Sequence, residues 1–254
     1  MARTSNLDTK VLKELILSDA KSRRDISNNL NISKSAMTAV SKRLINKGLV
    51  DEGGCLNEFR RGRKTILLHA RPDIAYFLGT DIEGSSIRTC LLDSTTNMLA
   101  SNKHAIGSDW NFERIRQQWD CLLDDAVNSA GISQDKIAGI GVGLPGRVAN
   151  DGRLRSQAVL GPGKGIEIDA SFIRRKYTRE AMASNNAFCI AEYERRSGAA
   201  RNVNSFIQIV IRYGLGVAIF SNNTYLVGDE FTTGEMGHMK IRESGPQCLC
   251  GEVG

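Results

Sequence analysis

Phe206-Ile207-Gln208-Ile209-Val210-Ile211 and Val217-Ala218-Ile219-Phe220 flank Arg212-Tyr213-Gly214-Leu215-Gly216, two apolar runs joined through a glycine loop. Their β-branched and aromatic content reads as a pair of strands. Downstream stand Gly228 and then Gly234-Glu235-Met236-Gly237-His238. Ten residues beyond that histidine the chain reads Cys248-Leu249-Cys250-Gly251-Glu252-Val253-Gly254. Glycines at fixed points around a hairpin, followed by imidazole and thiols, mark a site rather than a plain core.

Working upstream, the chain alternates strands and helices from Ala75 onward. Tyr76 to Ile82, Ile87 to Leu92 and Met98 to Ser101 read as three strands. Phe112 to Ala130 reads as a helix with Ile115, Trp119, Leu122, Leu123 and Val127 on one face. Ile137 to Gly143 is a further buried strand that runs into Leu144-Pro145-Gly146. Three strands, a helix and another strand, with glycines at strand ends, resemble the opening of an actin-like sugar kinase lobe.

The first seventy residues have a different texture. Leu7, Val11, Leu12, Leu15 and Ile16 share one helical face. A second short helix spans Ser22 to Leu30, and Ser33 caps a third whose apolar side is Met37, Val40 and Leu44, ended by Gly48. This is the pattern of a helix-turn-helix. Leu49 to Glu52 reads as a strand, Gly53-Gly54 opens a loop, and Thr65 to Leu68 reads as the returning strand. Between them lies Arg60-Arg61-Gly62-Arg63-Lys64, so the module reads as a winged helix whose wing tip reaches phosphates or the minor groove. On the third helix Lys34, Ser35, Thr38, Ala39 and Lys42 lie opposite the apolar stripe, a set suited to phosphates and base edges. A winged helix used only for protein contacts is the alternative.

Charge agrees with that division. Residues 1–75 hold 15 of the 34 Lys and Arg and 8 of the 28 Asp and Glu, a net of +7, and the remainder is close to neutral. A basic module on a neutral body points to a polyanion partner, with a solvated basic surface as the bland reading. The apolar runs are only a few residues long, far below the roughly 20 that a membrane span needs. The first helix is interrupted by charge, unlike a secretory signal. These features lead to the expectation of a cytoplasmic protein without membrane contact. Cys55, Cys90, Cys121 and Cys189 are scattered singly and read as small buried hydrophobes; Cys248-x-Cys250 alone has a spacing of chemical interest.

The glycine pattern from Ile211 to His238, with His238 preceding Cys248-x-Cys250-Gly251-x-x-Gly254, resembles the signature and zinc motif of the ROK family of bacterial sugar kinases and sugar-responsive repressors. The winged helix in front is similar to the repressor branch, which includes regulators of xylose and N-acetylglucosamine genes. The resemblance implies a fold of mixed class: an α+β winged helix-turn-helix over residues 1–72, then an α/β actin-like (ribonuclease H-like) domain. Its first lobe would span 75–200 and the start of a second lobe 201–254. On the order of 100 further residues would follow in an intact relative, so the sequence is read as C-terminally truncated inside the zinc motif.

The same resemblance assigns sites. His238, Cys248 and Cys250 would ligate zinc, with a fourth ligand, a cysteine, expected directly after the position of Gly254. Asn185, Asn186, Glu235 and His238 match sugar-contacting positions; zinc ligation alone would also explain His238, and a capping or solvated acid would explain Glu235. In the kinases an Asp that deprotonates the sugar hydroxyl stands where this chain has Asn186, an amide that cannot accept the proton. Asp81-Ile82-Glu83-Gly84-Ser85 carries a carboxylate in the first phosphate loop, and Arg212 replaces a glycine before the second. Together these departures lead to the expectation of no catalytic residue and no phosphoryl transfer. The chain is then a sugar-responsive repressor that binds operator DNA through Lys34, Ser35, Thr38, Lys42, Arg60, Arg61, Arg63 and Lys64. A sugar or sugar phosphate is its effector, and a homodimer or higher homo-oligomer its form when intact. An ATP-dependent hexose kinase, or a product retaining only DNA binding, is the alternative.

Overall fold

A computed structural model describes residues 6–17, 20–56, 65–106, 112–149, 180–212, 214–229, 232–248 and 251–253. The chain divides into two compact units, Met1–Tyr76 with Leu92–Met98, and Phe77–Leu91 with Leu99–Gly254. Residues on either side of position 200 thus fall in one unit.

The first unit runs α1 (Asn6–Ile16), β1 (Lys21–Ser22), α2 (Arg23–Asn29), α3 (Lys34–Asn46), β2 (Val50–Leu56) and β3 (Thr65–Ala70), its strands ordered β1-β3-β2. Ser22 and Ser33 cap α2 and α3, their hydroxyls accepting from the Asp25 and Ala36 amides at 3.1 Å. Val11 and Leu15 of α1, Ile26 of α2 and Met37, Val40 and Leu44 of α3 close on Val50 and Leu68 to form the core. Buried Asp8 binds Arg43 at 2.6 Å and lies 3.6 Å from Lys47, tying α1 to the far end of α3. The glycine pair expected to open the wing loop instead lies within β2. The register shifts between Gly53 and Cys55, and Gly54 takes a φ of +68°. A bulge needs that left-handed backbone, which glycine adopts without strain, so the strand continues to Leu56.

The second unit begins with a five-stranded sheet ordered β6-β5-β4-β7-β8, from β4 (Tyr76–Glu83), β5 (Ser86–Asp93), β6 (Met98–Ala105), β7 (Ile137–Leu144) and β8 (Glu180–Asn185). Helix α4 (Phe112–Ser129) buries Ile115, Trp119, Leu123, Ala126 and Val127. The Trp119 indole donates to Thr80 Oγ1 at 2.8 Å, satisfying a polar atom in a fully buried ring. Burial pushes the half-buried Cys90 thiol up, whereas Cys121 and Cys189, read with it as small buried hydrophobes, are exposed. Strand β8 and helix α5 (Asn186–Arg196) escaped the sequence reading. The strand, Glu-Ala-Met-Ala-Ser-Asn, lacks β-branched residues, and parallel pairing with β7 holds it in place. No described helix is long and apolar enough to cross a membrane.

A second sheet, ordered β11-β10-β9, comprises β9 (Phe206–Ile211), β10 (Leu215–Ser221) and β11 (Thr224–Tyr225). Ala187 and Ala191 of α5 meet Ala218, Phe206 and Val210 on one face. On the other face of β9, Ile207, Ile209 and Ile211 are exposed. Glu192 of α5 receives Arg195 at 2.7 Å, Arg196 and the Tyr225 hydroxyl at 3.0 Å, fastening the helix to β11.

The Arg195 hydrogen bonds, with help from Arg196 and Tyr225, hold the Glu192 carboxyl at about 2 against an ordinary 4.5. A depressed carboxyl contributes stability above the higher value and loses it as pH falls through the lower one. Solvent access to these side chains limits the gain to about 1 kcal/mol. In acid titrations of unfolding free energy, Glu192→Gln should therefore flatten the decline between pH 4.5 and 2. An unchanged acid limb would remove Glu192 from the account.

Candidate functional site

Helix α3 carries its two faces as the sequence requires. Lys34, Ser35, Thr38, Ala39 and Lys42 are all exposed, while Met37, Val40 and Leu44 are buried. The cations of the unit fall into two sets. Arg43 and Lys47 are committed to Asp8, and Arg23 to Glu52 and the Ser41 hydroxyl. No ion pair within the described residues engages Lys34 or Lys42, which leaves both for an external anion. The Thr38 hydroxyl donates back to the Lys34 carbonyl at 2.9 Å, and those of Ser33 and Ser35 meet at 3.0 Å. Arg60, Arg61, Arg63 and Lys64 lie outside the described residues.

In the second unit a cavity of about 490 Å3 gathers the remaining candidates. Asn185, Asn186, Glu235, His238 and Cys248 all line it, as do Glu83 and Arg212. Asn185 ends β8 and caps α5. Its Oδ1 accepts from the Ala187 amide at 2.8 Å, and its Nδ2 donates to the Gly146 carbonyl at 2.7 Å. Half of its hydrogen-bonding capacity is thus spent on local structure, leaving one lone pair and one N–H for a ligand. Asn186, the first residue of the helix, presents a neutral amide to the same space.

Glu235 and His238 arrive on the short 3-10 turn Met236–His238. Gly234 sets that approach: its φ is +93°, and a Cβ there would lie 2.0 Å from the Val217 carbonyl oxygen of β10. The imidazole faces two groups at once. Its Nε2 is 3.5 Å from the Glu235 carboxylate, and its Nδ1 is 3.7 Å from Cys248 Sγ. Zinc bound by one thiolate and one imidazole at ordinary lengths and tetrahedral angle puts the two donor atoms about 3.6 Å apart, so this pair fits the metal. Cys250 lies outside the described residues, and no cluster of three or more metal-ligating side chains occurs among the described ones.

The two loop residues read as separate departures from a kinase are joined in the structure. Arg212 forms an ion pair with Glu83, a residue 5 % exposed, and also lies 3.5 Å from Asp81. Its contact with Glu83 Oε1 lacks hydrogen-bond alignment, which leaves that buried oxygen without a donor. Arg88 adds 3.2 Å to Glu83 and 3.9 Å to Asp81. Burial pushes the Asp81 carboxyl up, and Arg212 and Arg88 pull it back down. Two carboxylates from the end of β4 thus meet Arg212, which follows β9, and Arg88 of β5. Another lining residue, Arg147, was not singled out from sequence; an arginine after Pro145-Gly146 carries no signal until the turn is seen to face the cavity.

A double-mutant cycle measures how far Glu83 and Arg212 depend on each other. Glu83→Gln and Arg212→Gln should each lower stability, and the double variant should lose about 2 kcal/mol less than the sum of the two. Additivity would show that the contact contributes nothing.

The comparisons with known proteins follow this geometry. A family model described as the ROK family matches residues 77–254. The xylose repressor of Bacillus spizizenii is 29% identical over 249 residues, covering 96% of this chain and 62% of its own length. The N-acetylglucosamine repressor of Escherichia coli O157:H7 is 23% identical over 238 residues, covering 92% and 57%. Among solved structures, a ROK family transcriptional regulator, a homolog of the E. coli MLC protein, superposes with a TM-score of 0.72 at 22% identity. It covers 98% of this chain and 62% of that one. A ROK family glucokinase from Streptomyces griseus, in complex with glucose and AMPPNP, gives 0.60 at 23%, covering 71% and 55%. The chain spans about three fifths of the length of the curated relatives it matches. The fold is thus that of ROK regulators and kinases, a helix-turn-helix unit followed by an actin-like α/β unit, and the chain belongs to the ROK family.

Proposed function

We propose that this chain is the DNA-binding and sugar-sensing portion of a transcriptional repressor, and that its kinase-like unit does not transfer phosphate. The observation that carries the reading is the exposed face of α3, where Lys34 and Lys42 are free of the ion pairs that occupy Arg43 and Lys47. Two lysines about two helical turns apart, with Ser35, Thr38 and Ala39 between them, match a helix laid in a major groove. Arg60, Arg61, Arg63 and Lys64, which lie outside the described residues, are proposed as further phosphate contacts. Operator DNA is the partner this chemistry fits.

The absence of catalysis follows from chemistry in the cavity. An amide at Asn186 cannot take the sugar hydroxyl's proton, and the Glu83–Arg212 pair stands in the way of a triphosphate. Asn185, Asn186, Glu235 and His238 still offer donors and acceptors for several hydroxyls, so the unit is read as a sensor. His238 and Cys248, with Cys250, would hold zinc. A metal there would orient the imidazole, leaving its other nitrogen directed at Glu235 and so ordering the sugar-facing edge.

Operator affinity should fall with salt at a log–log slope of about −5, corresponding to five or six neutralised phosphates. Replacing Lys34 and Lys42 by Gln should weaken binding and flatten that slope, measured by electrophoretic shift; a slope unaffected by the substitutions would remove α3 from the interface. In a second experiment, Cys248→Ser should lower zinc content and sugar affinity together while sparing operator binding at low salt. Normal sugar binding by the zinc-free variant would reduce His238 to a structural role.

A further inference from the structure

The charged residues that line the cavity are Glu83, Arg147, Arg212, Glu235 and His238. Glu83 and Arg212 are paired with each other, and Glu235 faces the imidazole of His238. Arg147 stands apart from both. No ion pair or hydrogen bond joins it to another described residue. Arg212 cannot serve as a second free cation, because two carboxylates, Glu83 and Asp81, already surround it.

The position of Arg147 is built rather than incidental. The preceding carbonyl, that of Gly146, accepts from Asn185 Nδ2 at 2.7 Å, so the turn is pinned to the residue that begins the sugar-facing stretch. Gly146 takes a φ of +102°, and the residues that follow, Val148 and Ala149, are each 8% exposed. Arg147 is therefore the polar residue between an anchored turn and a buried pair, and it lines the same space as Asn186 and His238. A guanidinium on a partly enclosed wall is a fork for a carboxylate or a phosphate, bound through two parallel N–H donors. Asn186 completes the argument: a carboxylate there would repel an anionic ligand, and the amide does not. The cavity, at about 490 Å3, has room for a monosaccharide with one substituent.

We propose that the effector is an anionic monosaccharide, carrying a carboxylate or a phosphate ester, and that Arg147 is the residue that holds its anion. The inference rests on the sugar-sensing reading above and narrows it to a ligand class. It separates the site from one built for neutral sugars, whose hydroxyls need no unpaired cation.

Calorimetric titration of the whole chain tests this with matched ligands: glucose, mannose and N-acetylglucosamine, their 6-phosphates, glucuronate, and inorganic phosphate alone. The expected result is that one anionic sugar binds at least tenfold tighter than its neutral parent. The arm that does so, phosphate or carboxylate, identifies the anion. Arg147→Gln should erase that preference while leaving the melting temperature unchanged, and Arg147→Lys should retain part of it. Equal binding of parent and anion, or a preference that survives Arg147→Gln, would overturn the proposal while leaving sugar sensing intact. Failure of every sugar to bind would overturn both readings. Inorganic phosphate binding as tightly as a sugar phosphate would show a bare anion site and also overturn the assignment.

Discussion

The ion pair between Glu83 and Arg212 joins the end of β4 to the end of β9, and the chemistry of the cavity depends on it. A carboxylate only 5 % exposed survives in the folded chain because cations reach it, and Arg212 and Arg88 both do. Removing Arg212 would leave the buried Glu83 carboxylate with Arg88 alone, which costs more than the pair contributes when intact. The protein's own side chains thus connect the two loops.

The same distinction between committed and uncommitted charge organises the first unit. Its net charge describes a surface but not which cations are available to a partner. Asp8, on the buried face of α1, takes up Arg43 and Lys47, and Glu52 takes up Arg23. Those pairs hold the helices in register. Lys34 and Lys42, on the same helix as Arg43, stay outside those pairs. One helix therefore carries both the clamp that orients it and the cations it presents.

Around the cavity, local backbone needs and ligand chemistry use the same residues. Asn185 caps a helix, pins a turn and retains half its capacity for a ligand. Gly234 allows a tight approach to β10 that brings Glu235 and His238 to the cavity. His238 divides its two nitrogens between a thiol and a carboxylate, an arrangement in which metal binding on one side sets proton donation on the other.

Much of this was legible in the sequence where the signal is local. The period of apolar residues located α1, α3 and α4, the serines that cap α2 and α3 marked their starts, and the spacing of glycines, His238 and Cys248 identified the family and the residues of the cavity. These follow from rules that act within a few residues along the chain. Tertiary structure alone decided the rest. Strand β8 is weak in β propensity and exists because β7 offers it a parallel ladder. The Gly53-Gly54 pair became a bulge because β3 continued alongside it. Glu83 and Arg212 stand 129 residues apart, and nothing in either neighbourhood reveals that they meet. Arg147 was an unremarked cation until its turn was seen facing the cavity. Pairing across such distances depends on how sheets and helices stack, and no pattern confined to a few neighbouring residues encodes it.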